Sequence, residues 1–149
     1  MLTRTHLLAA LFLGLIFLPE GNKIIFFSVL LVASLIPDID SRFSKIGKRK
    51  AFRILQFFVR HRGIIHSFLF LLIIGGVLYY FFPVAVFPFL LGYGSHLLAD
   101  GISRQGVRAF YPFKWKIKGF VKVGGRFETI LFVLLLIGNL FLIFQKILS

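Results

Sequence analysis

The sequence contains no cysteine, so disulfides and thiolate metal ligands are both excluded, while the compartment stays open. Carboxylates are almost as scarce, with five Asp and Glu against 18 Lys and Arg. Charged residues reach only 15% of the chain, where a soluble domain carries about 25%. No internal repeat, linker-like stretch or low-complexity tail interrupts the 149 residues, and that length suits one domain, 1–149. What the chain has instead is apolar mass: 58% hydrophobic residues, 21 of them Phe. Its apolar runs are too many and too long for a globular core of this size, so lipid must solvate much of the surface.

The apolar runs fall at about His6 to Leu18, Lys23 to Ile36, Ile64 to Phe82, Pro83 to Leu98 and Phe127 to Leu148. They predict an all-α, polytopic membrane bundle of about five helices forming a single integral membrane domain. A straight crossing takes roughly 20 residues. The third and fifth runs meet that length; the first, second and fourth need their polar ends to complete a crossing, or form a re-entrant pair. Pro19, Pro37 and Pro83 mark helix ends, and Pro88 with Gly92-Tyr93-Gly94 bends or packs the fourth run. Between the second and third runs, Ala51, Ile54, Leu55 and Phe58 recur at helical spacing among Arg and Gln. This predicts a short amphipathic helix, lying on the membrane surface or packed on the bundle. Thr3-Arg4-Thr5 ahead of an apolar run resembles a signal peptide, but no small-residue cleavage site follows Leu18-Pro19-Glu20. The segment is therefore read as part of the mature protein.

A net charge of +13 in a soluble protein would point to nucleic acid. In a membrane protein, Lys and Arg mark cytoplasmic loops and favour anionic headgroups, which makes a nucleic-acid partner the weaker reading. With five crossings, all the basic residues except Lys23 and Lys146 lie on the side that holds the N-terminus. The positive-inside rule makes that side cytoplasmic, and the chain a multi-pass inner-membrane protein.

The rare polar residues share this side. Of the four His and five acids, all but Glu20 stand at the cytoplasmic ends of segments. His6 opens the first, Asp38 and Asp40 close the second, and His61 and His66 open the third. His96 and Asp100 close the fourth, and Glu128 opens the fifth. Imidazole with carboxylate suits Zn²⁺, with Mn²⁺ or Fe²⁺ as alternatives, and this many donors would serve one or two ions. His96 and Asp100, four apart, share a helical face; His61 and His66, five apart, do not. Each residue also has a plainer reading: a hydrogen-bonded His, a helix-capping Asp, or Glu128 paired with Arg126 or set against its helix N-terminus. Ionisable groups gathered near hydrocarbon nevertheless tend to be functional.

The motifs His6, Pro37-Asp38-Ile39-Asp40, His61-Arg62-Gly63-Ile64-Ile65-His66-Ser67, Gly94-Ser95-His96-Leu97-Leu98-Ala99-Asp100, Gly106-Val107 and Tyr111-Pro112-Phe113 resemble the family of LexA-binding, inner-membrane-associated hydrolases, also described as membrane-bound metal-dependent hydrolases. The resemblance covers nearly the whole chain. Ile65 stands where this family usually has Thr, and Ser103-Arg104-Gln105 where a Thr-Pro pair often follows the last Asp; neither departure removes a candidate ligand. The resemblance implies a membrane hydrolase. A remoter similarity is to zinc-dependent phospholipase C and nuclease enzymes, in whose pattern His6, Asp38, His66, His96 and Asp100 would hold clustered zinc. A second His-x-x-x-Glu of that pattern is missing.

The reading that follows is a metal-dependent hydrolase at the cytoplasmic membrane surface, acting on a phospholipid or another phosphoester. Asp38, Asp40 or Glu128 would be the general base. Arg62, Arg126 and Arg104 would hold phosphate oxygens, unless they serve only as topology signals. Tyr111, Pro112, Phe113 and Trp115 would seat the second loop among headgroups. The alternative is a membrane anchor or regulator binding a soluble partner through its basic loops, with a structural metal site. A transporter would need polar residues deep in the segments, where Ser28, Ser34 and Asn139 are the main ones.

Overall fold

In a computed structural model, the described residues are 1–40 and 64–148. They form five α-helices joined by turns and short 3-10 segments, with no β-strand among the described residues: α1 Thr3–Ile16, α2 Lys23–Leu35, α3 Phe68–Phe81, α4 Val86–Ile102 and α5 Arg126–Leu148. The expected surface helix around Ala51 to Phe58 lies outside the described residues.

Local chemistry sets the helix limits. α1 is rich in Leu and Ala and gives out before Pro19, which the helix cannot continue into. Asn22 caps α2, its Oδ1 accepting from the amides of Ile24 at 3.0 Å and Ile25 at 3.1 Å. Pro37 then turns the chain into a 3-10 segment, Ile36–Asp40. Ser67 caps α3 by accepting from the Phe70 amide at 3.2 Å. Because the cap sits there, α3 starts at Phe68, and Ile64–His66 forms a separate 3-10 turn. The third run, expected to cross on its own, therefore yields a helix of only 14 residues. The fourth run goes the other way. A Pro83–Ala85 turn leads into α4, which continues past Leu98 to Ile102. Pro88 lies in the first turn of α4, where a missing N–H costs little, so it neither bends nor breaks the helix.

α1 packs against α2, α4 and α5; the broadest helix pairing is α2 on α4, and α3 leans on α4. The closest approach lies at Gly92, where an added Cβ would stand 2.2 Å from the Leu30 carbonyl oxygen. Phe89, Tyr93 and Leu97 of α4 form the main core with Ala33, Leu71, Val107 and Ala109. The segment after α4 folds back as a loop held by isolated bridges, Ser103 to Val121 and Val107 to Ile117. Gly106, at φ 65°, makes its tight turn in a backbone region that costs glycine little.

Large apolar side chains cover the outside. Leu134, Ile137, Phe141 and Ile147 of α5 are each about three-fifths exposed or more, a patch that water would not tolerate on a monomer. Among the described helices, α5 alone is long and apolar enough to cross a membrane by itself.

Candidate metal centre

The start of α1, the C-terminal part of α4 and the turn before α3 meet in a buried polar cluster. α1 brings His6, and α4 brings His96 and Asp100; all three are buried, and their candidate ligand atoms lie within 4.8 Å of one another. Around a tetrahedral ion with bonds of ~2.1 Å, ligand atoms sit about 3.5 Å apart, so small side-chain adjustments would close the set on one ion. The His6 and His96 rings stack, with centroids 3.8 Å apart and planes at 7°. Nε2 of His6 lies 3.4 Å from Oδ1 of Asp100. From the turn before α3, His66 points its Nε2 at the other oxygen of Asp100, 3.8 Å away. Its ring meets His96 edge-on at 5.4 Å.

The surroundings orient these groups. Nδ1 of His96 is 2.7 Å from the Ser34 carbonyl at the end of α2. A carbonyl only accepts, so Nδ1 carries the proton and donates it, which leaves the Nε2 lone pair available. That arrangement is the usual backing of a metal-bound histidine. Nε2 of His96 and both ring nitrogens of His6 are buried without a hydrogen bond. Buried polar atoms are normally satisfied, so these orphaned nitrogens favour an ion. The Met1 amino group contacts Oδ1 of Asp100, giving that buried carboxylate a countercharge.

The other expected site residues have partners of their own or lie outside the described residues. Asp38, in the turn after α2, accepts from the Thr3 hydroxyl at 3.0 Å, and its turn packs on the Ile64–His66 turn. Glu128 does not join the cluster. It is buried and engaged by three donors: the Leu2 amide at 2.5 Å, the Thr5 hydroxyl at 3.0 Å and the Gly124 amide at 2.6 Å. The carboxylate thus ties the N-terminal segment to the start of α5, Oε1 accepting twice and Oε2 once. His61 and Arg62 lie outside the described residues, and of Asp40 only the backbone is described. Arg104 is exposed and donates from Nε to the Phe120 carbonyl at 3.0 Å, clamping its own loop.

A sequence profile of the YdjM inner membrane protein family matches residues 1–148. The chain belongs to the YdjM inner membrane protein family. It is 31% identical over 97 residues to the inner membrane protein YdjM of Escherichia coli strain K12, an alignment covering 59% of this chain and 50% of that relative. The inner membrane protein YdjM of Shigella flexneri matches to the same extent. The chain thus spans about half the length of the curated relatives it matches. No solved structure matches. Membership makes the protein a membrane protein, and the outward apolar face of α5 then has hydrocarbon as its solvent.

In this YdjM-family chain, several supporting groups escape a reading of the sequence. The Ser34 carbonyl carries no side-chain signal. Tyr93 donates its hydroxyl to the Ile65 carbonyl, which fixes the backbone next to His66. Its position three residues before His96 places it on the same side of α4, a spacing that could have flagged it. Thr3 and Thr5 look like ordinary helix residues until their acidic partners come into view.

Proposed function

We propose that this chain is a multi-pass inner-membrane, metal-dependent hydrolase with its N-terminus and site on the cytoplasmic side, acting on a phospholipid or another phosphoester. The observation that carries this reading is the buried group of His6, His96 and Asp100, in which Nε2 of His96 and the ring nitrogens of His6 have no hydrogen bond, with His66 alongside. Nitrogen and oxygen donors of this kind suit Zn²⁺ first, with Mn²⁺ or Fe²⁺ as alternatives. When bound, such an ion supplies Lewis-acid polarisation of an ester oxygen and makes water more acidic.

The chain's own groups do the positioning. The Ser34 carbonyl holds the His96 ring so that Nε2 faces the cluster. Asp38, steadied by Thr3, is the general base in this reading, with Asp40 the alternative; Glu128 is set aside because its oxygens are engaged. Arg62 and Arg126 would hold phosphate oxygens in paired hydrogen bonds. Exposed Lys114, Lys116 and Lys118 in the loop after α4 support a cytoplasmic orientation. Exposed Phe113 and Trp115, their rings 5.9 Å apart, support seating of that loop among headgroups.

Metal analysis of the purified protein tests this reading. Zinc should bind, and His96→Ala and Asp100→Ala should each weaken it by more than the 10–100-fold that loss of an outer-shell partner costs. Metal content unchanged by both substitutions overturns the site. The same exposed basic loop also favours a second reading, a membrane anchor or regulator with a structural metal. Bound metal without turnover on a panel of phospho- and carboxylic esters would select it.

A further inference from the structure

α4 and α5 both pack on α1 but scarcely on each other, and a cavity of about 200 Å³ remains between them. Ala9 and Leu13 of α1 form its floor, with Leu98 and Ile102 of α4 and Leu131 and Leu135 of α5 as walls. From Thr5 to Leu13, both of which line it, the fissure follows α1 for about 12 Å at ~1.5 Å per residue. Its volume matches roughly six or seven waters at ~30 Å³ each, yet an apolar lining of this kind keeps water out. Its rim opens on the outer surface, since Leu98 is 62% and Ile102 46% exposed. Met1, whose amino group meets Asp100, and Thr5 and Ser95, chain neighbours of His6 and His96, also line it.

We propose that this fissure holds one acyl chain of a bilayer phospholipid, lying alongside α1 with its headgroup end at the His6, His96 and Asp100 cluster. In a membrane protein the medium at the open rim is hydrocarbon. A void beside hydrocarbon forfeits dispersion contacts that an acyl chain restores. The fissure runs along the helix axes, the direction of lipid chains when these helices stand upright in a bilayer. Apolar transfer gives no preference between fissure and bulk lipid, so selectivity must come from the headgroup end. There Arg4, Lys122 and Arg126 are exposed, and their charge complements a phosphate. The role given to the headgroup rests on the hydrolase reading; occupancy by the acyl chain does not.

The test uses the full chain in phosphatidylcholine vesicles doped with phosphatidylglycerol that carries a photoactivatable diazirine in one acyl chain. Adducts are mapped by mass spectrometry. Labelling of Ala9, Leu13, Leu131 and Leu135 should exceed that of outward-facing Ile137 and Phe141 several-fold. Ala9→Phe, which fills the floor, should remove the excess while leaving zinc content intact, and Leu135→Phe serves if the first variant does not fold. Even labelling along α5 in the unaltered protein overturns the proposal, as does an excess that survives in a folded, filled variant. Fissure labelling in a protein that binds no zinc upholds the acyl-chain site and sinks the hydrolase. Bound zinc with even labelling does the reverse.

Discussion

At the scale of single residues, the cluster turns on which lone pairs remain unused. His96 gives its Nδ1 proton to the Ser34 carbonyl and keeps Nε2 in reserve, whereas Glu128 has its oxygens taken by three donors. Both residues sit at helix ends on one face of the protein, and in the sequence both are equally plausible ligands. They differ only in what the folded chain places beside them. Removing Glu128 would strand the Leu2 and Gly124 amides and the Thr5 hydroxyl in a buried setting, at ~1–3 kcal/mol for each group left unpaired. Glu128→Ala should therefore lower the thermal midpoint of the detergent-solubilised protein clearly, by at least about 2 kcal/mol of stability, while zinc stoichiometry holds. A variant that melts normally but loses zinc would make Glu128 a ligand after all.

At the scale of helices, close packing and length decide what each substitution does. Gly92 lets α4 approach the backbone of α2 one turn before His96. A methyl group there must push the helices apart, and overpacking of this kind costs about 1–3 kcal/mol. Gly92→Ala should thus lower stability within that range and weaken zinc binding too, because the Ser34 carbonyl moves away from His96; chelator competition reads the second effect. Asn139 behaves differently. Its amide donates to the carbonyls of Leu8 at 3.1 Å and Leu135 at 2.7 Å, joining α5 to α1, but its Oδ1 is buried and unpaired. Side-chain hydrogen bonds between membrane helices average only ~0.6 kcal/mol. Asn139→Leu should consequently change stability by less than about 1 kcal/mol, as measured by unfolding in mixed micelles. Helix length follows a similar logic: α1, α2 and α3, at 14, 13 and 14 residues, rise only ~20 Å against a hydrocarbon core of ~30 Å. If they cross, the bilayer must thin around them or their ends must reach the interface through polar flanks.

At the scale of the whole molecule, the multi-pass arrangement has a direct test, because the chain carries no native cysteine and single substitutions report alone. Lys114→Cys in the loop after α4 and Glu20→Cys between α1 and α2 should react with a membrane-impermeant maleimide from opposite sides of sealed inner-membrane vesicles. Labelling from the same side would refute the five-crossing topology and, with it, the placement of the cluster on the cytoplasmic face.

Sequence alone determined the apolar, helical character of the described residues and the approximate position of their five α-helices, since apolar runs and their prolines are local properties. It also pointed to His6, His96 and Asp100, because scarce ionisable residues beside hydrocarbon stand out, and the four-residue spacing of the last pair puts them on one face. The length of α3 was not legible, as it depends on whether Ser67 serves as cap or as helix interior. Nor could the sequence separate Asp100, which shares a pocket with two imidazoles, from Glu128, which secures the N-terminal segment. That distinction, like the Ser34 support of His96 and the fissure between α4 and α5, belonged to the tertiary structure. The physical reason is distance along the chain: hydrogen bonds and gaps between helices are set by packing among residues far apart in sequence, and no local pattern encodes which of several polar helix ends will face one another.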